Sequence, residues 1–176
     1  MLTPDEKGAI AELAIAHAAS KLRIGVLKPL TDGERYDLVF DLRPTLLRVQ
    51  CKWASKQGEV VVIRCYSCRR SRLGMVKGVY TGKEVDIIAA YCAELDRCYL
   101  LPLEMFDGRS HVQLRLSSTL NNQRLGINWA EDFDFAAKLR EQLGAIAQLG
   151  ERVRGTHEVA GSSPAGSTSE VVERLR

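Results

Sequence analysis

The hydrophobic pattern at the start of the chain has the spacing of a helix. Thr3 and Glu6 have the form of a capping box, and Pro4 suits the first helical turn. Alanine-rich sequence extends the predicted helix to about Leu22. Its apolar face would contain Ile10, Leu13, Ala14 and His17. Glu12 falls on a different stripe of small alanines, where another element can approach it closely, although such an acid is also typical of a solvent-facing position.

Six segments with alternating or continuous apolar residues predict β-strands. They cover residues 24–28, 36–42, 46–53, 59–66, 85–92 and 98–103. Turn-forming sequences at residues 31–34 and 43–45 separate the first three of them. Helical spacing returns over residues 129–149, with Phe133, Ala136, Leu139 and Leu143 on one face. The pattern predicts an α/β protein with a first helix, a mixed sheet and a closing helix.

The composition changes after residue 149. Residues 161–168 are small and polar, which is typical of a flexible linker with nothing to bury. We therefore predict one folded domain over residues 1–149 and a flexible C-terminal appendage over residues 150–176.

Polar side chains lie on corresponding faces of the second and third predicted strands. Side chains alternate along a strand, so Gln50 and Lys52 share one face, and Asp37 points away from the core face of its own strand. A short turn makes these strands antiparallel neighbours. Asp37, Gln50 and Lys52 can then converge, and the first helix could bring Glu12 to them. The alternative is that Asp37 and Lys52 form an exposed cross-strand ion pair, which would stabilise the fold by only ~0–1 kcal/mol.

Positive charge is concentrated in one part of the chain. The whole chain has 25 basic and 22 acidic residues, but residues 48–83 contain nine basic residues and a single acid, Glu59. Such a local excess indicates either nucleic-acid binding or a solvated surface.

The cysteines and the chain start favour a reduced, cytoplasmic protein. There are five cysteines, an odd number, and the first residues lack the layout of a secretory signal. No apolar run approaches the roughly 20 residues of a membrane-spanning helix, so no membrane partner is expected. Cys65 and Cys68 have zinc-ligand spacing without a second ligand pair, which favours structural burial over zinc.

The ordered polar residues resemble the PD-(D/E)xK nucleases. The match consists of a helix glutamate, Asp37 near the start of a strand, and Gln50, Cys51 and Lys52 as the (D/E)xK element, with Gln in place of the second acid. It is most similar to the intron-associated homing endonucleases, and it extends over residues 5–145, including 85–92 and 125–132. The resemblance implies a restriction-endonuclease-like mixed β-sheet core flanked by helices.

The same resemblance implies a mechanism and a cofactor. Asp37, Gln50 and the backbone carbonyl of Cys51 would bind Mg²⁺, which prefers oxygen ligands. Lys52 would orient the attacking water and stabilise charge on the phosphate, and Glu12 would assist the water or the metal shell. Because Gln50 contributes no charge, the number of metal ions stays open.

The resemblance to these nucleases implies double-stranded DNA as the partner. The candidate phosphate-binding residues are Lys56, Arg64, Arg69, Arg70, Arg72 and Lys77. Cutting both strands needs two active sites, so we expect a homo-oligomer, a dimer or tetramer. The alternatives are a Holliday-junction resolvase or another repair or restriction nuclease with the same core, or a non-catalytic DNA-binding module.

Overall fold

The computed structural model describes residues 1–31, 33–72, 74–118 and 125–158, with the backbone alone for residues 69–71, 147 and 149–158. The helices are α1 (Pro4–Lys21), α2 (Leu103–Phe106) and α3 (Phe135–Glu158), with a 3-10 turn at Ala130–Phe133. The strands are β1 (Gly25–Leu27), β2 (Leu38–Asp41), β3 (Leu46–Gln57), β4 (Val60–Arg64), β5 (Tyr66–Ser71), β6 (Gly74–Val79), β7 (Ile87–Cys92), β8 (Arg97–Pro102) and β9 (His111–Arg115).

Helix α1 begins at the predicted capping box. The Thr3 hydroxyl accepts the Glu6 N–H at 3.2 Å, and the Glu6 carboxylate accepts the Thr3 N–H at 2.7 Å. The predicted apolar face is wrong, however, since Leu13 is 71% exposed and the buried residues are Ala11, Ile15 and Ala19. Alanine side chains allow α1 to pack closely on β3 and β7. The helix therefore buries the face with Ala11, Ile15 and Ala19 and not the predicted face.

Strand β3 is the centre of a seven-stranded mixed sheet. It pairs antiparallel with β2 through residues 46–49, parallel with β7 through residues 49–54, and antiparallel with β4 through residues 54–57. Strands β1, β8 and β9 complete the sheet beside β2, β7 and β4, respectively. Gln50 and Lys52 come after the β2 pairing has ended and before the β4 pairing begins.

Strands β5 and β6 form a separate two-stranded sheet, which we call the ribbon (residues 66–72 and 74–79). A single strand over residues 59–66 was the expectation. The strand ends at Arg64, the Cys65 N–H still donates to the Ser110 carbonyl at 2.9 Å, and β5 begins at Tyr66 in the separate sheet. Met75, Val76 and Val79 of the ribbon are 64%, 42% and 42% exposed, respectively.

The closing helix begins later and ends later than its spacing predicts. The Asp134 carboxylate accepts the N–H groups of Ala136 and Ala137 at 3.1 and 3.0 Å, so it caps the first turn of α3 and separates it from the 3-10 turn. Helix α3 continues through residue 150 to Glu158.

The chain divides into two compact units, residues 1–143 and residues 144–176. The first unit contains the whole sheet, α1, the ribbon and the apolar core, in which Phe40, Ile63, Leu101 and Leu114 are fully buried. The predicted boundary at residues 149 and 150 stays a prediction, and the linker at residues 161–168 lies outside the described residues. None of the described helices is long and apolar enough to span a membrane.

Candidate active site

Asp37, Gln50 and Cys51 meet where β2 and β3 begin to separate. The Asp37 N–H donates to the Val49 carbonyl at 2.9 Å, which extends the β2–β3 pairing and places Asp37 beside Gln50. The Gln50 amide nitrogen donates to Asp37 Oδ2 and, at 3.3 Å, to the Cys51 carbonyl. The Cys51 N–H also donates to Asp37 Oδ2, at 2.8 Å. An electropositive amide group therefore lies between a carboxylate oxygen and a carbonyl oxygen.

The Asp37 carboxylate is short of compensating positive charge. Burial raises its pKa and the charge of Glu12 adds to this, while the Cys51 N–H and the charges of Lys52 and Lys28 act in the opposite direction. The net pKa is raised, so the site as it stands disfavours the ionised form. A bound cation would reverse this balance.

Lys52 is held by a tyrosine. Its ammonium group donates to the Tyr80 hydroxyl at 2.7 Å and lies 4.7 Å from the centre of the Tyr80 ring. Burial lowers the pKa of Lys52, and the charge of Asp37 opposes this shift. The alternative of an exposed Asp37–Lys52 ion pair is wrong, since this pair does not occur among the ion pairs of the described residues.

Glu12 reaches the same region from α1. It accepts a hydrogen bond from Lys28 Nζ at 2.7 Å, and its side chain is only 25% exposed, against 69% for Lys28. Both residues line a cleft of about 150 Å³ that also contains Tyr36 and Asp37. The structure therefore brings the predicted helix glutamate to the predicted strand aspartate, with a lysine that the sequence analysis missed.

The donor set fits a hard cation without being a cluster of acids. No group of three or more His, Cys, Asp and Glu side chains arranged for a metal exists within the described ranges. The available oxygens are instead the Asp37 carboxylate, the Cys51 carbonyl and, after a half-turn of the amide, Gln50 Oε1. Carboxylate, backbone carbonyl and amide oxygens are ligands that Mg²⁺ and similar ions accept. The position of the Gln50 amide nitrogen between the other two oxygens supports this fit.

Tyr80 and Arg35 belong to the site, and the sequence analysis missed both. Tyr80 follows β6, 28 residues after Lys52, and only 2% of it is exposed. The Arg35 guanidinium lies 4.6 Å from the Tyr80 ring centre and donates to Glu84 at 2.9 Å. No spacing in the sequence connects these residues, because their contact depends on how the ribbon leaves the main sheet.

The candidate DNA-binding residues lie at several places on the first unit. Lys56, Arg64, Arg72 and Lys77 are exposed, whereas Arg69 and Arg70 belong to β5 and their side chains lie outside the described part. Arg48, counted in the same basic stretch, has a structural partner. It donates to both carboxylate oxygens of Asp86, with distances of 2.7 and 3.1 Å, and so joins β3 to the segment before β7.

Comparison with known proteins decides the family. The sequence profile of the PD-(D/E)XK endonucleases matches residues 2–136. The chain belongs to this family. It is therefore a metal-dependent endonuclease that acts on DNA, and the predicted resemblance and the predicted restriction-endonuclease-like fold are confirmed.

A solved structure supports the same assignment. The chain is similar to a bacterial homing endonuclease, I-Ssp6803I, with 33% sequence identity and a TM-score of 0.66. The match covers 84% of this chain and 99% of that one. No curated protein sequence matches the chain.

Proposed function

We propose that this endonuclease is a Mg²⁺-dependent homing endonuclease whose site consists of Glu12, Asp37, Gln50, Cys51 and Lys52. The observation that carries the proposal is the convergence of Asp37 Oδ2 and the Cys51 carbonyl on the Gln50 amide, with Lys52 next along the same strand. The homing activity is supported by the similarity to a bacterial homing endonuclease over most of the chain.

Asp37, the Cys51 carbonyl and Gln50 would hold the metal ion. When bound, Mg²⁺ supplies positive charge that stabilises the extra negative charge of the phosphate during attack by water. The raised pKa of Asp37, caused first by burial, favours this role because a cation would convert a poorly compensated carboxylate into a stabilised one. Gln50 would rotate its amide so that the oxygen replaces the nitrogen beside Asp37.

Lys52 would contact the reacting phosphate. An ammonium group has three donors, and one of them is used by the Tyr80 hydroxyl. The remaining donors can bind a phosphate oxygen and the attacking water, and the positive charge stabilises the transition state.

Glu12 would accept a proton from the attacking water or orient it. Its present partner, Lys28, is largely exposed, so the pair is weak and a DNA phosphate can compete for the lysine. Binding of DNA would therefore release the Glu12 carboxylate at the position where the reaction needs an acceptor.

The ribbon would enter the major groove of the DNA. Residues 60–83 contain six basic residues and no acid, and Met75, Val76 and Val79 of the ribbon are exposed. An isolated two-stranded sheet is marginally stable in water, and the major groove, about 12 Å wide, accepts a two-stranded β-ribbon. Lys56 and Arg64 on the main sheet, with Arg69, Arg70, Arg72 and Lys77 on the ribbon, would contact phosphates and fix the position of the duplex.

Cleavage of both strands would need two copies of the site. We therefore propose a homo-oligomer, a dimer or a tetramer, with each active site cutting one strand. Sedimentation of the protein with and without duplex DNA measures this directly. A protein that stays monomeric on DNA while cutting both strands in one binding event would contradict the proposal.

The decisive experiment compares cleavage of different DNA forms. Purified protein is mixed with a plasmid library carrying random inserts and with a four-way junction, in Mg²⁺ or in EDTA. We expect Mg²⁺-dependent cutting of a small set of long sequences, loss of cutting in Asp37→Asn, and normal cutting in Asp41→Asn, the matched control on β2. Cutting of junctions independent of sequence would instead indicate a resolvase, and binding without cutting would indicate a non-catalytic module.

A further inference from the structure

Arg35 connects the ribbon to the residue that holds Lys52. Its guanidinium donates to the Ser67 hydroxyl at 2.6 Å and to the Val79 carbonyl at 3.1 Å, so it binds β5 and β6 at the end of the ribbon nearest the main sheet. Ser67 in turn donates to the Gly78 carbonyl at 3.3 Å, across the same pair of strands. One side chain therefore fixes both strands of the ribbon where they begin and end.

The same guanidinium packs on Tyr80. Its central carbon lies 4.6 Å from the ring centre, while Lys52 Nζ lies 4.7 Å from that centre and donates to the hydroxyl. The two cations thus contact different parts of one buried tyrosine, since Arg35 packs on the ring in a cation–π contact and Lys52 bonds to its hydroxyl. Glu84 compensates the charge of Arg35, accepting from Nε at 2.9 Å, and also accepts the Thr81 N–H, which fixes the turn after Tyr80.

This arrangement is more than ordinary core packing. A buried ammonium group without a hydrogen-bond acceptor would be costly, and the Tyr80 hydroxyl supplies an acceptor at this place. Tyr80 is in turn held by Arg35, which donates to Ser67 and Val79 of the ribbon and to Glu84 in the turn that follows it. The position of Lys52 therefore depends on the ribbon through two side chains.

We propose that Arg35 and Tyr80 are a pair of positioning residues that set Lys52 at a fixed place relative to the ribbon. Tyr80 holds the ammonium group, and Arg35 holds Tyr80 against both ribbon strands. Because the ribbon binds the duplex, this connection determines which phosphate group Lys52 contacts. The inference rests on the proposed function, since it requires Lys52 to act on the phosphate and the ribbon to bind DNA.

Removing the tyrosine hydroxyl tests the first half of the connection. Tyr80→Phe keeps the buried ring and removes the acceptor, so a poorly positioned Lys52 should slow single-turnover cleavage about 10- to 100-fold. The Kd for duplex DNA should change less than threefold. Tyr91→Phe is the matched control, since Tyr91 also loses a hydroxyl hydrogen bond, to Asp96 at 2.9 Å, but lies outside the site.

A double-mutant cycle separates positioning from general stability. If Tyr80 acts only through Lys52, Tyr80→Phe should cause no further loss of rate in a Lys52→Met background, whereas independent effects would multiply. Thermal unfolding of each variant checks that the fold is retained. Multiplying effects, or a normal rate in Tyr80→Phe, would refute the positioning role.

Substitution of Arg35 tests the second half. Arg35→Lys keeps the charge but replaces the three nitrogens of the guanidinium fork by a single one, which cannot reach Ser67, Val79 and Glu84 together. Arg35→Gln removes the charge as well. In both variants, cleavage should occur at several neighbouring phosphates and give several products on a sequencing gel. Arg35→Lys should restore the single cleavage position only in part. A single cut site in both variants would refute the connection to the ribbon. Absence of Mg²⁺-dependent cleavage by the unchanged protein would refute the proposed function and this inference together, whereas normal cleavage by Tyr80→Phe would refute the inference alone.

Discussion

Replacing Gln50 by glutamate tests where a cation binds. The Gln50 amide nitrogen donates to Asp37 and to the Cys51 carbonyl, and Gln50 is only 7% exposed. Gln50→Glu keeps the shape of the side chain but puts a second carboxylate against Asp37, whose pKa is already raised, first by burial. Without metal the two acids repel each other, and with metal they form a more anionic ligand set.

The size of the effect follows from the short separation of the two groups. Two like charges 4 Å apart interact by about 4 kcal/mol near a protein surface, and partial solvent exposure of Asp37 lowers this to roughly 2–4 kcal/mol. For a chain of this length that corresponds to a Tm lower by roughly 5–15 °C. The penalty is absent below about pH 3, where both acids, with ordinary pKa values of about 3.9 and 4.3, are protonated whether the chain is folded or not. It grows as pH rises through the ordinary glutamate pKa of about 4.3 towards the raised pKa of the folded pair.

The assay is thermal unfolding of Gln50→Glu and of the unchanged protein between pH 4 and pH 8, in EDTA and in Mg²⁺. We expect the Tm difference in EDTA to be largest at pH 8 and to become smaller as the pH falls to 4. Mg²⁺ should raise the Tm of the variant more than that of the unchanged protein, since stabilisation by a ligand grows with its affinity. Gln57→Glu is the control, because Gln57 is exposed at the end of β3. Equal Tm values in EDTA at pH 8, or equal shifts with Mg²⁺, would refute the cation position.

Three further predictions concern the ribbon, the thiols and the tail. Replacing Arg72 and Lys77 together by alanine should lower the slope of log affinity against log salt concentration by roughly 0.9 per lost phosphate contact. Lys21→Ala on α1 is the control and should leave the slope unchanged. An unchanged slope in the double variant would show that neither ribbon residue contacts DNA. Cys68 is exposed and Cys51, Cys65 and Cys92 are buried, so a thiol reagent should label Cys68 first in the folded protein, and rapid labelling of four thiols would contradict the packing. A chain ended after Gly150 should keep its Tm and its cleavage, and loss of either would show that the tail is part of the folded domain.

The convergence of Asp37 and Gln50 could be predicted from the sequence because it is local. A short turn joins their strands, so alternation alone determines which side chains meet. Leu38, Phe40 and Leu42 lie on the opposite face of this alternation from Asp37 and are buried.

Contacts between distant segments could not be predicted in this way. The alanines of α1 have similar hydrophobicity on several stripes, so the pattern does not reveal which stripe packs on the sheet. The ribbon was missed because its strands contain few apolar residues, of which Met75, Val76 and Val79 are exposed, and because β6 begins at Gly74 with a φ of 115°. The partner of Lys52 was missed for the same reason, since Tyr80 reaches it only when the chain returns from the ribbon.

The most direct test of the central claim is the cleavage rate of Lys52→Met with Mg²⁺ present. This change removes the charge and keeps much of the apolar stem, so the fold should be retained. Loss of one electrostatic stabiliser in an active site typically lowers the rate ~10²- to 10³-fold, whereas DNA affinity, which comes from many phosphate contacts, should change less than about tenfold. We predict this separation of rate from affinity. Mg²⁺-dependent cleavage by Lys52→Met at the rate of the unchanged protein would contradict the assignment of the active site.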